Sequence, residues 1–225
     1  MCNKITLYGH LTVDKILIDF KEKQSLGGIA NVWFGLVSLG EGFNVELQPL
    51  SIGQAIILVD KKNNYRIGRG VLNIDTNKAQ PTNSYWHHIS YINQIEDTSF
   101  ISDLKGIVSA DITKEEPEKV IQNLKYLDYL FIAKEDLFMD IQELGKLVKK
   151  YVIVHHPKGS IYSDGETIET YDLPQELFLS DVNVLGAGDY FASGFIKSAI
   201  YGNNIKDSVI NSHTIASNLI KQNLL

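Results

Sequence analysis

The stretch "NVLGAGDYFASGF", Asn183 to Phe195, sets Gly-Ala-Gly directly against an acid and then against a helix-forming, largely apolar run. Phe191, Phe195, Ile196 and Ala199 recur at helical spacing and Gly202 is a natural stop, so the sequence predicts a helix beginning near Gly188. Residues without bulky side chains ahead of a helix let its first amides face an anion, and the helix dipole adds about half a positive charge there. This describes a phosphate cradle with Asp189 at its mouth. A carboxylate kept ionised there can accept the proton of an attacking hydroxyl, and a weak base suffices for a loose phosphoryl-transfer transition state. Gly-Ala-Gly-Asp also reads as a tight turn followed by an ordinary helix N-terminal acid.

Working outward, residues 127–133 ("LDYLFIA") and 151–155 ("YVIVH") read as strands, as does "GIVSAD" at 106–111. Helices are expected between them: 113–124, with Thr113 and Glu116 spaced as a capping box, and 135–150, with Leu137, Phe138, Ile141, Leu144, Leu147 and Val148 on one face. A hairpin turning at Asp164-Gly165 precedes the opening stretch, and a last helix is expected over Ile205 to Gln222. Alternating strands and helices predict a mostly parallel sheet covered on both faces. Nearer the N-terminus, Ile5 to Tyr8 reads as a strand and Asp14 to Phe20 as an alternating run. Residues 25–42 read as a largely buried helix through Val32, Phe34, Leu36, Val37 and Leu39, opened by Gly27-Gly28 and stopped near Gly40. Gln54 to Asp60 and Tyr65 to Val71 flank "KKNN" as a hairpin. The hairpins before Trp86 do not suit the parallel sheet and are expected to form an edge or lid.

With 225 residues and a net charge of −6, the chain is sized for one α/β domain over 1–225 and carries no basic stripe for nucleic acid. One cysteine, Cys2, excludes a disulfide framework. The first twenty residues are too polar for a signal peptide, and no apolar run approaches the ~18–20 residues needed to cross a bilayer. A cytoplasmic protein with no membrane partner is expected.

"NVLGAGDYFASGFI" resembles the C-terminal signature of the ribokinase-like (PfkB) carbohydrate kinases. Gly186, Ala187, Gly188 and Asp189 match in full, Ser193, Gly194 and Phe195 follow at the right spacing, and Asn183 stands where Asp is usual. "GHLTVD" resembles the N-terminal Gly-four-Asp pattern, and "GGIANVWFGLVSLG" the Gly-Gly…Asn…Leu-Gly element. "SIGQAIILVDKKNNYRIG" looks like a lid strand pair, and "VHHPKGSIYSDGE" like the segment flanking the nucleotide. The resemblance implies a three-layer α/β/α sandwich with a small β-lid near 12–20 and 52–72. It further implies ATP-dependent phosphorylation of a sugar-like hydroxyl, with Asp189 as base and the Gly186, Ala187 and Gly188 backbone as anion hole. Asp14, Gly27, Gly28 and Asn31 would hold the acceptor, and Asn183, Gly159 and His156 the nucleotide. ATP with Mg²⁺ is the implied donor, a monovalent cation is left open, and a homodimer through the lid is an expectation from resemblance.

Departures accompany the match. An α/β unit common in relatives has no room between Gly40 and the lid. The usual Asn-x-x-Glu that organises Mg²⁺ is Ala133-Lys134-Glu135-Asp136 here, keeping only the acid at Asp136. A non-catalytic nucleotide- or sugar-binding relative is therefore the alternative. A dinucleotide oxidoreductase is disfavoured, since no Gly-x-Gly-x-x-Gly follows the first strand. The pairs His87-His88 and His155-His156 cannot each chelate one ion, because neighbours in a strand point to opposite faces. Arg66 and Arg69 suit either phosphate contact or a soluble lid edge.

Overall fold

A computed structural model of the chain describes residues 3–18, 21–40, 42–60, 65–76, 78–113, 116–178 and 185–222. Asn183 lies outside them. In chain order the elements are β1 Asn3–Ile18, β2 Lys21–Gly28, α1 Ile29–Ser38, β3 Phe43–Asp60, β4 Tyr65–Thr76, β5 Asn83–Ile89 and β6 Lys105–Asp111. There follow α2 Pro117–Ile121, β7 Tyr129–Ala133, α3 Ile141–Gly145, β8 Tyr151–His156, β9 Gly159–Ser163, β10 Ile168–Asp172, α4 Ala187–Ile200 and α5 Ile205–Gln222.

All the described strands join one sheet in the order β10-β9-β8-β7-β6-β5-β1-β3-β4, with β2 paired to β1. The centre, from β8 to β3, is parallel. Two apolar clusters cover its faces. One joins Leu36, Trp86, Phe131, Phe195 and Leu219, bringing α1, α4 and α5 onto the sheet. The other joins Ile89, Val108, Val120, Leu130, Leu144 and Val154, bringing α2 and α3 onto the opposite face. The result is a three-layer α/β/α sandwich.

The lid is an extension of this sheet. β1 pairs with β5 over Ile5–Tyr8, shifts register at Gly9/His10, then pairs with β2 over Leu11–Ile18. β3 stays beside β1 along both halves and pairs antiparallel with β4. Among the described residues no separate α/β unit lies between α1 and the lid, and β3 itself supplies both the core strand and the lid strand.

Three local expectations fail. Helix α2 starts at Pro117, with Glu116 at φ 50, so no Thr113–Glu116 capping box forms. Proline suits the first helical position and disfavours helical backbone just before it. Thr113 instead accepts hydrogen bonds from Asn93 Nδ2 at 2.9 Å and Gln94 Nε2 at 3.3 Å. The predicted helix 135–150 is a 3-10 turn, Lys134–Asp136, followed by the short α3. Asp140 caps α3 by accepting from the amides of Gln142 and Glu143, which starts a new helix instead of continuing an old one. In α1, Phe34 and Val37 are exposed, and the buried stripe is Ile29, Ala30, Val32, Gly35 and Leu36.

Candidate active site

The C-terminal ends of the parallel strands, the lid and the start of α4 enclose a cavity of about 510 Å³. Open α/β sheets bind ligands at this end of their strands. Gly186 caps α4 with φ 80, a left-handed conformation that glycine adopts without penalty. The chain thereby enters the helix with Gly186, Ala187 and Gly188 in the cavity wall. The first amides of a helix have no acceptor within it and suit an incoming phosphate.

Asp189 sits in the first turn of α4, buried within the wall and not standing free at the mouth of a cradle, and it still lines the cavity. Its two oxygens have separate donors. Asn31 Nδ2 donates to Oδ2 at 2.8 Å, and the Tyr91 hydroxyl donates to Oδ1 at 3.3 Å. Asn31 comes from α1, which Gly28 opens at φ 62, where a β-carbon would strike the His10 carbonyl. Asp14, in the lid half of β1, is buried and lines the same cavity, its carboxylate accepting from Thr12 Oγ1 at 2.6 Å. Ile57 and Val59 of β3 complete the lid side.

The far side is more apolar. Leu173, Leu177, Phe191, Ala216 and Ile220 line it, together with His155 and His213. The His155 ring stacks on Phe191 at 5.0 Å, and His213 meets the same ring edge-on at 4.9 Å. Burial, and then His156 beside it, pushes the His155 imidazole down to about 4. Burial likewise takes His213 to about 4, and its Nε2 lies 2.8 Å from Ser160 Oγ. Both rings are therefore neutral near pH 7. Glu135 and Asp136 lie at the rim beyond β7.

The cavity thus gathers Asp14, Gly28, Asn31, Asp136, His156 and Gly186 through Asp189. Gly27 and Gly159 are not in its wall. A β-carbon at Gly27 would collide with the Asp14 carboxylate, and one at Gly159 with the Tyr171 carbonyl across the hairpin. Their lack of a side chain serves packing. His87 and His88 are also elsewhere, buried in the sheet, where His87 Nε2 approaches the Lys105 carbonyl at 3.0 Å and His88 Nδ1 approaches Ser109 Oγ at 2.9 Å. The sequence reading missed Tyr91, Asp111, Glu135 and His213. Asp111 closes β6 and Tyr91 lies two residues past β5, so position at a parallel strand's C-terminal end was the available signal.

No known family model matches the sequence. Solved structures do match the fold. A pyrophosphate-dependent kinase in the ribokinase family, complexed with a pyrophosphate analog and myo-inositol, superposes with TM-score 0.73 at 17% identity, over 96% of this chain and 95% of that one. The Methanocaldococcus jannaschii nucleoside kinase, an archaeal member of the ribokinase family, gives 0.71 at 18% identity, over 97% and 92%. The Burkholderia thailandensis nucleoside kinase in complex with inosine gives 0.74 at 12%, over 96% and 91%. The chain has the ribokinase-like fold.

Proposed function

We propose that the protein transfers a phosphoryl group from ATP to a hydroxyl of a sugar or sugar-like molecule. The observation that carries this is the placement of Asp189 in the same turn as the Gly186–Gly188 backbone, both on one cavity. Asp189 takes the hydroxyl proton as the acceptor oxygen attacks. The first-turn amides of α4 stabilise charge on the transferring group, and most of the rate comes from this positioning and charge stabilisation. Asp14 and Asn31 orient the acceptor's hydroxyls, under a roof of Ile57 and Val59.

The fold neighbours include kinases described as using pyrophosphate, so the donor is a separate question. The apolar wall of Leu173, Leu177, Phe191, Ala216 and Ile220 favours ATP, since pyrophosphate has no base to bury there. Mg²⁺ is commonly held by one or two carboxylates, waters and substrate phosphates, and Glu135 and Asp136 fit that mode at the rim. Bound there, it would neutralise donor phosphate charge. Among the described residues no cluster of three or more His, Cys, Asp or Glu side chains could hold a metal ion.

The lid's outer face exposes Val13, Leu26, Ile52, Ile56 and Leu58, which supports a homodimer through the lid. The test of function is a panel of sugars, sugar phosphates and nucleosides, each assayed with MgATP and with pyrophosphate. ATP consumption that depends on one acceptor class is expected. Thermal stabilisation by ATP and acceptor without transfer would favour the non-catalytic alternative.

A further inference from the structure

Among the described residues, two that are not glycine have positive φ: Tyr91 and Glu116. Glu116 is not among the residues that line the cavity, whereas Tyr91 is. Holding a bulky non-glycine residue such as Tyr91 in that conformation is strained. The surroundings enforce it. Its amide donates to Asp111 Oδ1, the Ser90 amide donates to the Tyr8 carbonyl at 2.9 Å, and the Gln94 amide donates to the Tyr91 carbonyl at 2.8 Å. His88 Nε2 lies 3.4 Å from Asp111 Oδ2 without forming a hydrogen bond to it. The outcome is a phenol directed into the cavity with its hydroxyl on Asp189 Oδ1.

We propose that Tyr91 is a positioning residue for the base, an inference that rests on the kinase reading above. The terminal torsion of an aspartate is broad, so a carboxylate held through one oxygen still swings. Asn31 holds Oδ2 and Tyr91 holds Oδ1, from different elements, which fixes the plane of the carboxylate. The 3.3 Å separation is long for such a bond, and catalytic hydrogen bonds commonly tighten when substrate binds. Fixing that plane aims one lone pair at the acceptor hydroxyl. The strained backbone at residue 91 is what sets the phenol in place.

The test has two arms. Tyr91→Phe keeps the ring and removes the hydroxyl. It is expected to lower kcat about 10- to 100-fold, the scale of a small misplacement of a catalytic group. KM for both substrates should stay within about two-fold, as expected for an interaction that matters mainly in the transition state. Asp111→Ala, which frees the Tyr91 amide, should reproduce the same split, and Tyr91→Phe should cost nothing further in an Asp189→Asn background. The second arm needs no turnover. With tyrosine labelled by ¹³C at the ζ carbon, the Tyr91 signal, assigned by its loss in Tyr91→Phe, should move in Asp189→Asn. An unchanged kcat in Tyr91→Phe, a loss carried by KM, or a ζ signal blind to Asp189→Asn overturns the proposal. Wild-type protein that transfers no phosphate while the ζ signal responds refutes the kinase reading instead.

Discussion

Asn31 Nδ2 donates a 2.8 Å hydrogen bond to Asp189 Oδ2, tying the first turn of α1 to the first turn of α4 across 158 residues of chain. The two helices touch again one turn on along α4, where the single proton of Ser193 Oγ is shared between the Asp189 carbonyl at 2.7 Å and the Val32 carbonyl at 3.0 Å. Asn31 and Asp189, both on the cavity, are thus held by a single helix pair.

Asn31→Ala removes a donor to a carboxylate, an interaction worth roughly 1.5–3 kcal/mol. A fall in kcat/KM of about 10- to 100-fold is expected, that loss converted at 1.4 kcal/mol per decade. Steady-state kinetics beside the wild type checks it.

The helix pair itself can be tested at Gly35. A β-carbon there would overlap the Ser193 side chain, so Gly35→Ala forces α1 and α4 apart. Overpacking of this kind costs roughly 1–3 kcal/mol, readable as a lower urea midpoint at unchanged slope. Gly35→Ala combined with Ser193→Gly should recover part of that loss by restoring space.

These contacts also show what was legible in the sequence. The Gly-Ala-Gly-Asp turn and the α4 and α5 helices read directly, because each is local: small residues, an acid and a 3.6-residue apolar period. The cavity residues Asp14 and Asn31 could be named by resemblance and not by geometry. What brings them to Asp189 is strand β1 running through core and lid and the long-range packing of α1 on α4, and neither leaves a periodic mark. Tyr91 left no mark because its contact with Asp189 depends on a backbone conformation that the residue type disfavours. The 135–150 helix failed since an apolar period continues across Asp140 while that side chain caps a new helix. Phe34 and Val37 matched the helical period and are nevertheless exposed, since the period says which residues share a face and not how much of it is covered.

Acid stability follows from the buried imidazoles. His213 goes from an ordinary 6.5 to about 4 in the fold, mainly by burial. Between those values the unfolded chain binds the extra proton and the folded chain does not, so stability is full above pH 6.5, falls as pH drops towards 4, and levels below it. The loss for this one buried group is up to about 3 kcal/mol, at 1.36 kcal/mol per pH unit. Urea midpoints should therefore fall from pH 7 to pH 4.5, and less steeply in His213→Gln.

The lid's outer face makes a solution prediction. If two copies meet there, light scattering behind size exclusion should give twice the 25.3 kDa chain mass, and Ile56→Lys, which charges the centre of the patch, should give the monomer with an intact far-UV spectrum. A monomeric wild type at micromolar concentration removes this interface.

The most direct measurement is single-turnover phosphoryl transfer from MgATP by wild type and by Asp189→Asn, on the acceptor found by the panel. Loss of the base should slow transfer about 10²- to 10⁴-fold while the variant unfolds at nearly the same temperature and still binds ATP. Transfer at the wild-type rate by a correctly folded Asp189→Asn protein would contradict the assignment of this carboxylate, and with it the chemistry proposed for the cavity.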